Sequence, residues 1–199
     1  MIRNIVFDIG EVIIQVSNDI LKELFNRSDT EIKEISRIVY ANKRWNDCLL
    51  GNLSQREYMT EIIRDFPKYK KDIEVLLSIE FQEKVLLLKN DTWDVMNELK
   101  NQGYKIYFLS NLTEETYNYL NDKLDMFDRF DGGVFSWMEH LIKPDEKIYK
   151  VLLDRYKLNR EETVFFDDTL KNIKMANKLG INGVQFRTVD DMINVIKGE

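Results

Sequence analysis

Cysteine is almost absent from this 199-residue sequence, and so are histidine, with one residue, and proline, with two. Because Cys48 is the single cysteine, no internal disulfide can form, and a reducing compartment, the cytoplasm, is expected. No apolar stretch approaches the roughly 20 residues that span a bilayer. The apolar N-terminus is interrupted by Asp8 and Glu11 and lacks the cleavage site of a signal peptide. No membrane partner is expected.

Positive charge is also scarce, with 29 Lys and Arg residues against 35 Asp and Glu residues and a net charge of -6. Nucleic-acid binding depends on clustered basic side chains that neutralise phosphates. The basic run at 68–71 is too short for that and is interpreted as a solvated surface. Nucleic acid is therefore excluded as a partner. Apolar residues make up 44% of the chain, enough to bury a sizeable core.

Residues 17–88 differ in pattern from the rest of the chain. They have helical periodicity and no convincing strand, and capping-box sequences begin at Ser28 and at Ser54. We predict that residues 17–88 form a small helical unit. It is inserted into a core domain made of residues 1–16 and 89–199.

The predicted core alternates strand and helix patterns. Such alternation predicts an α/β fold, a doubly wound parallel sheet with helices on both faces. The predicted strands cover residues 2–7, 105–109, 133–136, 163–166 and 183–186. The predicted helices cover residues 91–102, a stretch from Thr113, residues 144–156 with Pro144 in the first turn, and a stretch ending at Leu179.

Polar residues with useful chemistry occur at the carboxyl ends of the predicted strands or just beyond them. In an open parallel sheet these ends share one edge, where ligands bind. Clustered carboxylates repel one another unless a cation lies between them, and oxygen ligands favour a hard ion such as Mg²⁺. A lysine and a hydroxyl nearby can hold an anionic group, as phosphoryl transfer requires. The residues are Asp8, Ser110, Asn111, Lys143, Asp167 and Asp168.

These segments resemble the four motifs of the haloacid dehalogenase (HAD) superfamily, in the same order and over essentially the whole chain. They read FDIGEV, FLSN, IKPDEKIY and VFFDDTLKNIKMANKLG. The helical unit matches the position of the superfamily's C1-type cap. The motif sequences FDxGxV, VFFDD and KPxxxIY are similar to those of the branch that contains bacterial α-D-glucose-1-phosphate phosphatase.

The resemblance implies Mg²⁺-dependent hydrolysis of a small phosphate monoester, such as a sugar phosphate, through an aspartyl-phosphate on Asp8. The phosphorylated small molecule is the expected partner of a monomer or weak homodimer. By the same resemblance, Mg²⁺ is held by Asp8, the carbonyl of Gly10, Asp167 and Asp168. The phosphate is bound by Ser110, Asn111 and Lys143, and Asn172 supports the fourth motif.

One position departs from the superfamily pattern. Most HAD phosphatases carry a second aspartate two residues after the nucleophile, where it acts as general acid and base, and this sequence has Gly10 there. Two alternatives therefore stay open. A 2-haloacid dehalogenase also lacks that aspartate, but such enzymes work without metal and usually replace the acidic pair at Asp167 and Asp168. A non-catalytic protein that binds phosphometabolites is the other alternative.

Several residues have a structural interpretation beside the functional one. The acidic pair at 167–168 could cap the following helix, about as plausibly as it binds metal, and Asn172 could face solvent. His140 is expected to form a local hydrogen bond, and Cys48 to be a small buried side chain. Trp45 is expected to pack in the helical unit, with contact to substrate as the alternative.

Overall fold

In a computed structural model of the protein, which describes residues 1–25 and 27–197, seven strands form two sheets. Five parallel strands form the central sheet in the order β5-β4-β1-β6-β7, so β1 lies in the middle. The predicted parallel α/β sheet is confirmed. The strands are β1 (Asn4–Phe7), β2 (Ile14–Val16), β3 (Leu86–Leu88), β4 (Lys105–Ser110), β5 (Gly132–Phe135), β6 (Thr163–Asp167) and β7 (Asn182–Gln185).

Helices cover both faces of the sheet and fill the segment between β2 and β3. None of the helices formed by the described residues is both long and apolar enough to cross a bilayer. They are α1 (Asn18–Phe25), α2 (Asp29–Tyr40), α3 (Trp45–Leu49), α4 (Gln55–Asp65), α5 (Lys70–Leu76), α6 (Ile79–Val85), α7 (Asn90–Asn101), α8 (Glu114–Leu124), α9 (Ser136–Glu139), α10 (Glu146–Tyr156), α11 (Leu170–Lys178) and α12 (Val189–Lys197).

The middle strand is buried because its side chains enter two different cores. Ile5 and Phe7 belong to the core on the side of α7, α8 and α12, while Val6 belongs to the core under α10 and α11. Successive side chains of a strand point to opposite faces, so a strand covered on both faces is apolar throughout. This explains why the first strand reads as an unbroken apolar run.

The helices α1–α6 form the helical insertion, which has its own apolar core. Both predicted capping boxes are present. The Ser28 and Ser54 side chains each accept a hydrogen bond from the backbone amide of the third helical residue, a glutamate. The side chain of that glutamate in turn accepts from the backbone amide of the serine. The insertion core includes Ile35, Val39, Tyr58 and Ile73. The domain bounds at 16/17 and 88/89 stay a prediction, and residues 26, 198 and 199 lie outside the described part of the chain.

Three predicted details were wrong. Residues 86–88 were expected within the helical unit but form β3, which pairs antiparallel with the unpredicted β2 and aligns Ile14 with Leu88. Strands of three residues are too short to show a period in the sequence. The helix expected from Pro144 begins at Glu146, because Asp145 is its N-cap and accepts from the Lys147 amide. Helix α12 was not predicted at all.

Replacing Gly133 with alanine is expected to lower the free energy of unfolding by about 1–3 kcal/mol through overpacking. A Cβ atom at Gly133 would overlap the ring of Phe108, its partner in β4. That ring is confined by Phe127, Phe130 and Phe135. Urea denaturation followed by circular dichroism measures the loss. Gly10→Ala is the control, since a Cβ atom there meets nothing within 4 Å. Equal losses would contradict the steric explanation.

Candidate active site

The sheet brings three candidate side chains together at the carboxyl ends of its middle strands. Asp8 directly follows β1, Ser110 is the last residue of β4, and Asp167 is the last residue of β6. Strand β1 is in register with both neighbours over its whole length. The three residues therefore lie within one residue of the same position along the strand direction, at the carboxyl edge of the sheet.

Asp8 is a buried carboxylate whose two oxygens face different partners. Its Oδ1 atom accepts hydrogen bonds from the Ile9 amide at 2.7 Å and from the Ser110 hydroxyl at 3.0 Å. Its Oδ2 atom lies 3.0 Å from the Lys143 ammonium. The residue is 9% exposed, so its carboxylate is held by the protein and retains a narrow opening to the surface.

Lys143 supplies the positive charge at the centre of the site. Its ammonium is 2.7 Å from Asp167 Oδ2 as well as 3.0 Å from Asp8, and the residue is 3% exposed. The Asn111 side chain holds the lysine backbone in both directions, because Oδ1 accepts from the Lys143 amide and Nδ2 donates to its carbonyl. Asn111 thus fixes the loop from which Lys143 reaches the carboxylates.

Asp167 is completely buried and fully engaged. Its carboxylate accepts from the Asn172 side-chain amide at 3.0 and 2.9 Å and from the Thr169 backbone amide at 2.8 Å. Asn172 is 4% exposed, so it does not face solvent. Its backbone carbonyl accepts a hydrogen bond from the Tyr149 hydroxyl. Because Thr169 is the N-cap of α11, the Asp167 carboxylate accepts a hydrogen bond at the start of that helix. It also lies beside Asp8 and Lys143 in the site.

Burial and mutual repulsion raise the pKa values of two carboxyl groups in the site. Burial, reinforced by Asp167 and partly offset by Lys143, raises the pKa of Asp8 from 3.8 to about 7. Burial and then Asp167 also raise the pKa of Asp168, which is half-buried. A buried carboxylate loses hydration, and a second negative charge nearby disfavours its ionisation further. One lysine does not neutralise the negative charge gathered here.

The donor set fits a hard divalent cation. Asp8, Asp167 and Asp168 each offer a carboxylate oxygen, and these three atoms lie within 4.8 Å of one another. Oxygen-only ligands suit Mg²⁺, and a divalent cation would offset the charge that Lys143 leaves unbalanced. The fourth predicted ligand, the carbonyl of Gly10, lies two residues beyond Asp8 in an exposed position, and its role stays a prediction.

Position 10 has room for a side chain. A Cβ atom on Gly10 would meet nothing within 4 Å. The neighbouring acid, Glu11, is already used elsewhere, since its Oε1 atom accepts from the Val16 amide at 3.2 Å. Packing therefore does not explain the glycine, and Glu11 does not take the place of a second aspartate.

The insertion contacts the core close to the Lys143 loop. The His140 ring donates from Nδ1 to the Leu50 carbonyl at 2.7 Å, so its partner lies in the insertion and not in its own loop, where a local hydrogen bond was expected. Gly51 has φ of 68° and packs so closely on the Trp137 carbonyl that a Cβ atom would lie 2.5 Å from that oxygen. Only glycine satisfies both conditions easily. This contact between Leu50–Gly51 and α9 brings the loop after α3 beside the site.

The remaining candidates lie inside the insertion. Cys48 is 2% exposed, as expected, and burial raises the pKa of its thiol to about 12, which suppresses the reactive thiolate. Trp45 packs on Tyr40 and Tyr58, with ring centroids 5.1 and 5.6 Å away. It is partly exposed, and one side of it borders a cavity.

Sequence reasoning missed the side chains that brace the site. The Asn111 side chain was overlooked because only its backbone amide was expected to matter. Gln185 was missed as well, although its side chain donates to the Asp168 carbonyl at 3.0 Å. Its position one residue before the end of the strand predicted at 183–186 was the available signal, since such ends meet at the site.

The doubly wound parallel sheet places the protein among the Rossmann-like α/β folds. The carboxylates at the ends of its middle strands are typical of an enzyme active site. Residues 2–180 match the family described as haloacid dehalogenase-like hydrolase. The chain belongs to this family, and the resemblance inferred from the four motifs is confirmed. The similarity to the glucose-1-phosphate branch and the identity of the insertion as a C1-type cap stay predictions.

Individual relatives are more distant. A sesquiterpene phosphatase of Aspergillus oryzae is 32% identical over 90 residues, 45% of this chain and 46% of that protein. A drimenol cyclase of Aspergillus calidoustus is 24% identical over 96% of this chain but only 35% of its own. The chain thus spans less than half the length of these curated relatives. The structure of a HAD family enzyme from Bacteroides thetaiotaomicron, in complex with magnesium and inorganic phosphate, superposes with a TM-score of 0.74 at 20% identity, covering 94% and 95% of the two chains.

Replacing Asp8 with asparagine is expected to stabilise the metal-free protein at pH 8 by about 2–4 kcal/mol. The raised pKa means that the folded chain binds more protons than the unfolded chain between pH 3.8 and about 7. Stability from this group is therefore present at low pH and lost as pH rises through that window, and the amide removes the loss.

Urea denaturation in excess chelator at pH 8 and near pH 4 measures this effect, and the difference between variant and parent should vanish near pH 4. The matched control is Asp122→Asn, an exposed aspartate of α8, which should change stability little at either pH. A destabilised Asp8→Asn variant at pH 8 would contradict the assignment of uncompensated charge to the site.

Proposed function

We propose that the protein is a Mg²⁺-dependent phosphatase that hydrolyses small phosphate monoesters through an aspartyl-phosphate on Asp8. One observation carries the proposal. A buried carboxylate is held by a hydroxyl and an ammonium, and two further carboxylates lie beside it. This combination supplies a nucleophile, groups that hold a phosphate and a cation site within a few ångströms.

The chemistry divides into two displacements at phosphorus. An Asp8 oxygen attacks the phosphorus atom, the ester P–O bond breaks, and the alcohol leaves with the bonding electrons and gains a proton. Water then hydrolyses the acyl phosphate, which releases inorganic phosphate and restores the carboxylate. Ser110 donates to phosphoryl oxygens together with the Asn111 amide, and Lys143 balances the negative charge between nucleophile and phosphate.

Asp8, Asp167, Asp168 and the Gly10 carbonyl would hold Mg²⁺, which supplies Lewis-acid stabilisation of the phosphoryl charge when bound. Asn172 and Thr169 keep the Asp167 carboxylate oriented through their hydrogen bonds. Lys143 supplies positive charge and donates hydrogen bonds from a position that Asn111 fixes. The protein's own groups thus position the phosphate before the reaction begins.

Structures of similar fold include dehalogenases as well as a phosphate complex, so the fold alone does not choose between the alternatives. One curated relative and the donor set of the site favour the phosphatase. One curated relative is named a sesquiterpene phosphatase, and one structure of the same fold is a complex with magnesium and inorganic phosphate. The acidic pair at Asp167 and Asp168 counts against a metal-independent dehalogenase. A non-catalytic binding protein would need the same phosphate site without turnover, and it is therefore an outcome of the first test below.

We further propose that the helical insertion acts as a cap over the site. The hydrogen bond from His140 to the Leu50 carbonyl and the contact of Gly51 with Trp137 join the insertion to the loop that carries Lys143. A cap in this position excludes water while the phosphoryl group is transferred. Its side chains would then contact the organic part of the substrate.

Phosphate release from acetyl phosphate and p-nitrophenyl phosphate tests the proposed function. Activity should require Mg²⁺, and Asp8→Asn should lower kcat by at least about 10³-fold because no other group replaces the nucleophile. Asp122→Asn is the control and should retain full activity. Release that persists in chelator, or in Asp8→Asn, would contradict the mechanism, and Mg²⁺ binding without any release would favour the non-catalytic alternative.

Gly10→Asp tests the consequence of the missing general acid. We expect the variant to raise kcat/KM for an alkyl phosphate by about tenfold or more and to change that for acetyl phosphate much less. A positioned acid is typically worth about 10²–10⁴ in rate, and a poor leaving group such as an alkoxide needs it most. The open space at position 10 admits the side chain. Equal effects on both substrates would mean that another group already supplies the proton.

A further inference from the structure

An apolar cavity of about 330 Å³ lies between the helical insertion and α8. Carbon atoms dominate its wall, which includes Val16, Trp45, Leu77, Phe81, Val85 and Leu86. A cavity of about 150 Å³ lined by such side chains binds benzene, so this one has room for about twice as many non-hydrogen atoms. Its size falls within the range of small-molecule binding sites.

One residue in the wall carries a polar atom without a partner. Gln82 is 7% exposed, and its Oε1 atom, which is itself buried, accepts no hydrogen bond from any described residue. Its Nε2 atom donates to the Gln55 Oε1 atom at 3.4 Å. Because an unpaired buried acceptor is unfavourable, a small shift of this side chain would turn Oε1 toward a ligand hydroxyl in the cavity.

The polar end of the cavity lies a few residues along the chain from the phosphate site. Gln55 donates from Nε2 to the Thr113 hydroxyl at 2.5 Å, and Thr116 of α8 lines the cavity beside it. Thr113 is three residues beyond Ser110, so their Cα atoms are at most about 11 Å apart. A fully extended chain of about ten carbons spans a similar distance, so its end can reach the edge of the cavity beside Thr116.

We propose that this cavity binds the organic group of the substrate, which is a mid-sized apolar alcohol with at most one further hydroxyl, placed beside Gln82. This inference rests on the proposed phosphatase activity and names its substrate class. A sugar phosphate does not suit the cavity, because each buried hydroxyl needs a hydrogen-bond partner and the wall offers few. This proposal names a phosphate ester of a hydrocarbon-like alcohol, while the sugar phosphate expected from the sequence stays a competing prediction.

Substrate preference is the first arm of the test. We expect kcat/KM for decyl phosphate to exceed that for glucose 6-phosphate and glycerol 3-phosphate by at least about tenfold, since burying several methylene groups contributes about 0.8 kcal/mol each. All three are esters of alkyl alcohols, so the missing general acid affects them alike. A preference for the sugar or glycerol phosphate would overturn the proposal.

A cavity-filling variant gives the second arm. Ser36 lines the cavity from α2, and Ser36→Phe should lower the ratio of kcat/KM for decyl phosphate to that for acetyl phosphate by about tenfold. Acetyl phosphate is too short to reach the cavity. Lys33→Phe adds the same ring to an exposed position of the same helix and should leave the ratio unchanged. Equal ratios in the two variants would overturn the proposal.

Binding without chemistry separates this inference from the proposed function. Decanol should quench or shift the fluorescence of Trp45, which lines the cavity, and Trp45→Phe identifies that signal among the three tryptophans. Ser36→Phe should raise the dissociation constant for decanol about tenfold. Binding that persists while acetyl phosphate is not hydrolysed would support the cavity and refute the phosphatase. Acetyl phosphate hydrolysis without decanol binding would do the opposite.

The acceptor at Gln82 is tested with decanediols whose second hydroxyl stands at successive carbons. The best isomer should bind at least about threefold more tightly than its neighbours, because its hydroxyl satisfies Oε1. Gln82→Leu should remove that difference while decanol still binds. Isomers that all bind equally well would overturn the hydroxyl part of the proposal. Decanol binding with no preference for decyl phosphate would assign the cavity to a ligand other than the substrate.

Discussion

The Lys143 ammonium between the Asp8 and Asp167 carboxylates is the interaction on which the site depends. Burying carboxylates at the edge of a sheet is costly unless charge and hydrogen bonds compensate. Lys143 offsets part of that charge, Asn111 fixes its backbone, and Asn172 holds Asp167. The strands bring the acids together, and the loop that carries the lysine places a positive charge between them.

Compensation of the negative charge stops short of neutrality. The pKa of Asp8 stays raised to about 7 because burial disfavours its charged form and Lys143 offsets this only in part, while Asp167 adds to it. In the proposed enzyme a cation would complete the balance, so the same excess charge that lowers the stability of the fold would provide affinity for metal. One cluster would then set both structural stability and metal binding.

The core and the insertion contribute different chemistry to the proposed enzyme. Charged and hydrogen-bonding groups of the core surround the reacting phosphate, and these suit any phosphate monoester. The cavity beside α8 is bordered mainly by carbon atoms of the insertion and of the strands that join it to the core. In the proposed enzyme, reactivity would thus belong to the sheet, and selectivity for the organic group largely to the helices.

Sequence patterns predicted the features that follow from local rules. The apolar run of β1, the capping boxes at Ser28 and Ser54 and the helix predicted at 91–102 each depend on a few adjacent residues, and all are present. Convergence of Asp8 and Asp167 followed from the parallel direction of the strands, whose carboxyl ends share one edge of the sheet. The cavity and the orphaned Gln82 acceptor were not predictable, because they arise where α2, α6 and α8 meet and no period in the sequence records that packing.

The short antiparallel ribbon formed by β2 and β3 has a consequence for how such an enzyme can change. Ile14 lies opposite Leu88, so the chain leaves the core and returns to it at neighbouring points. The segment between those two points can therefore change in length while the ribbon closes over the same gap. Its contacts with the core at Leu50 and Gln55 limit such changes. In the proposed enzyme, the ribbon would let the part that recognises the organic group vary more freely than the part that reacts.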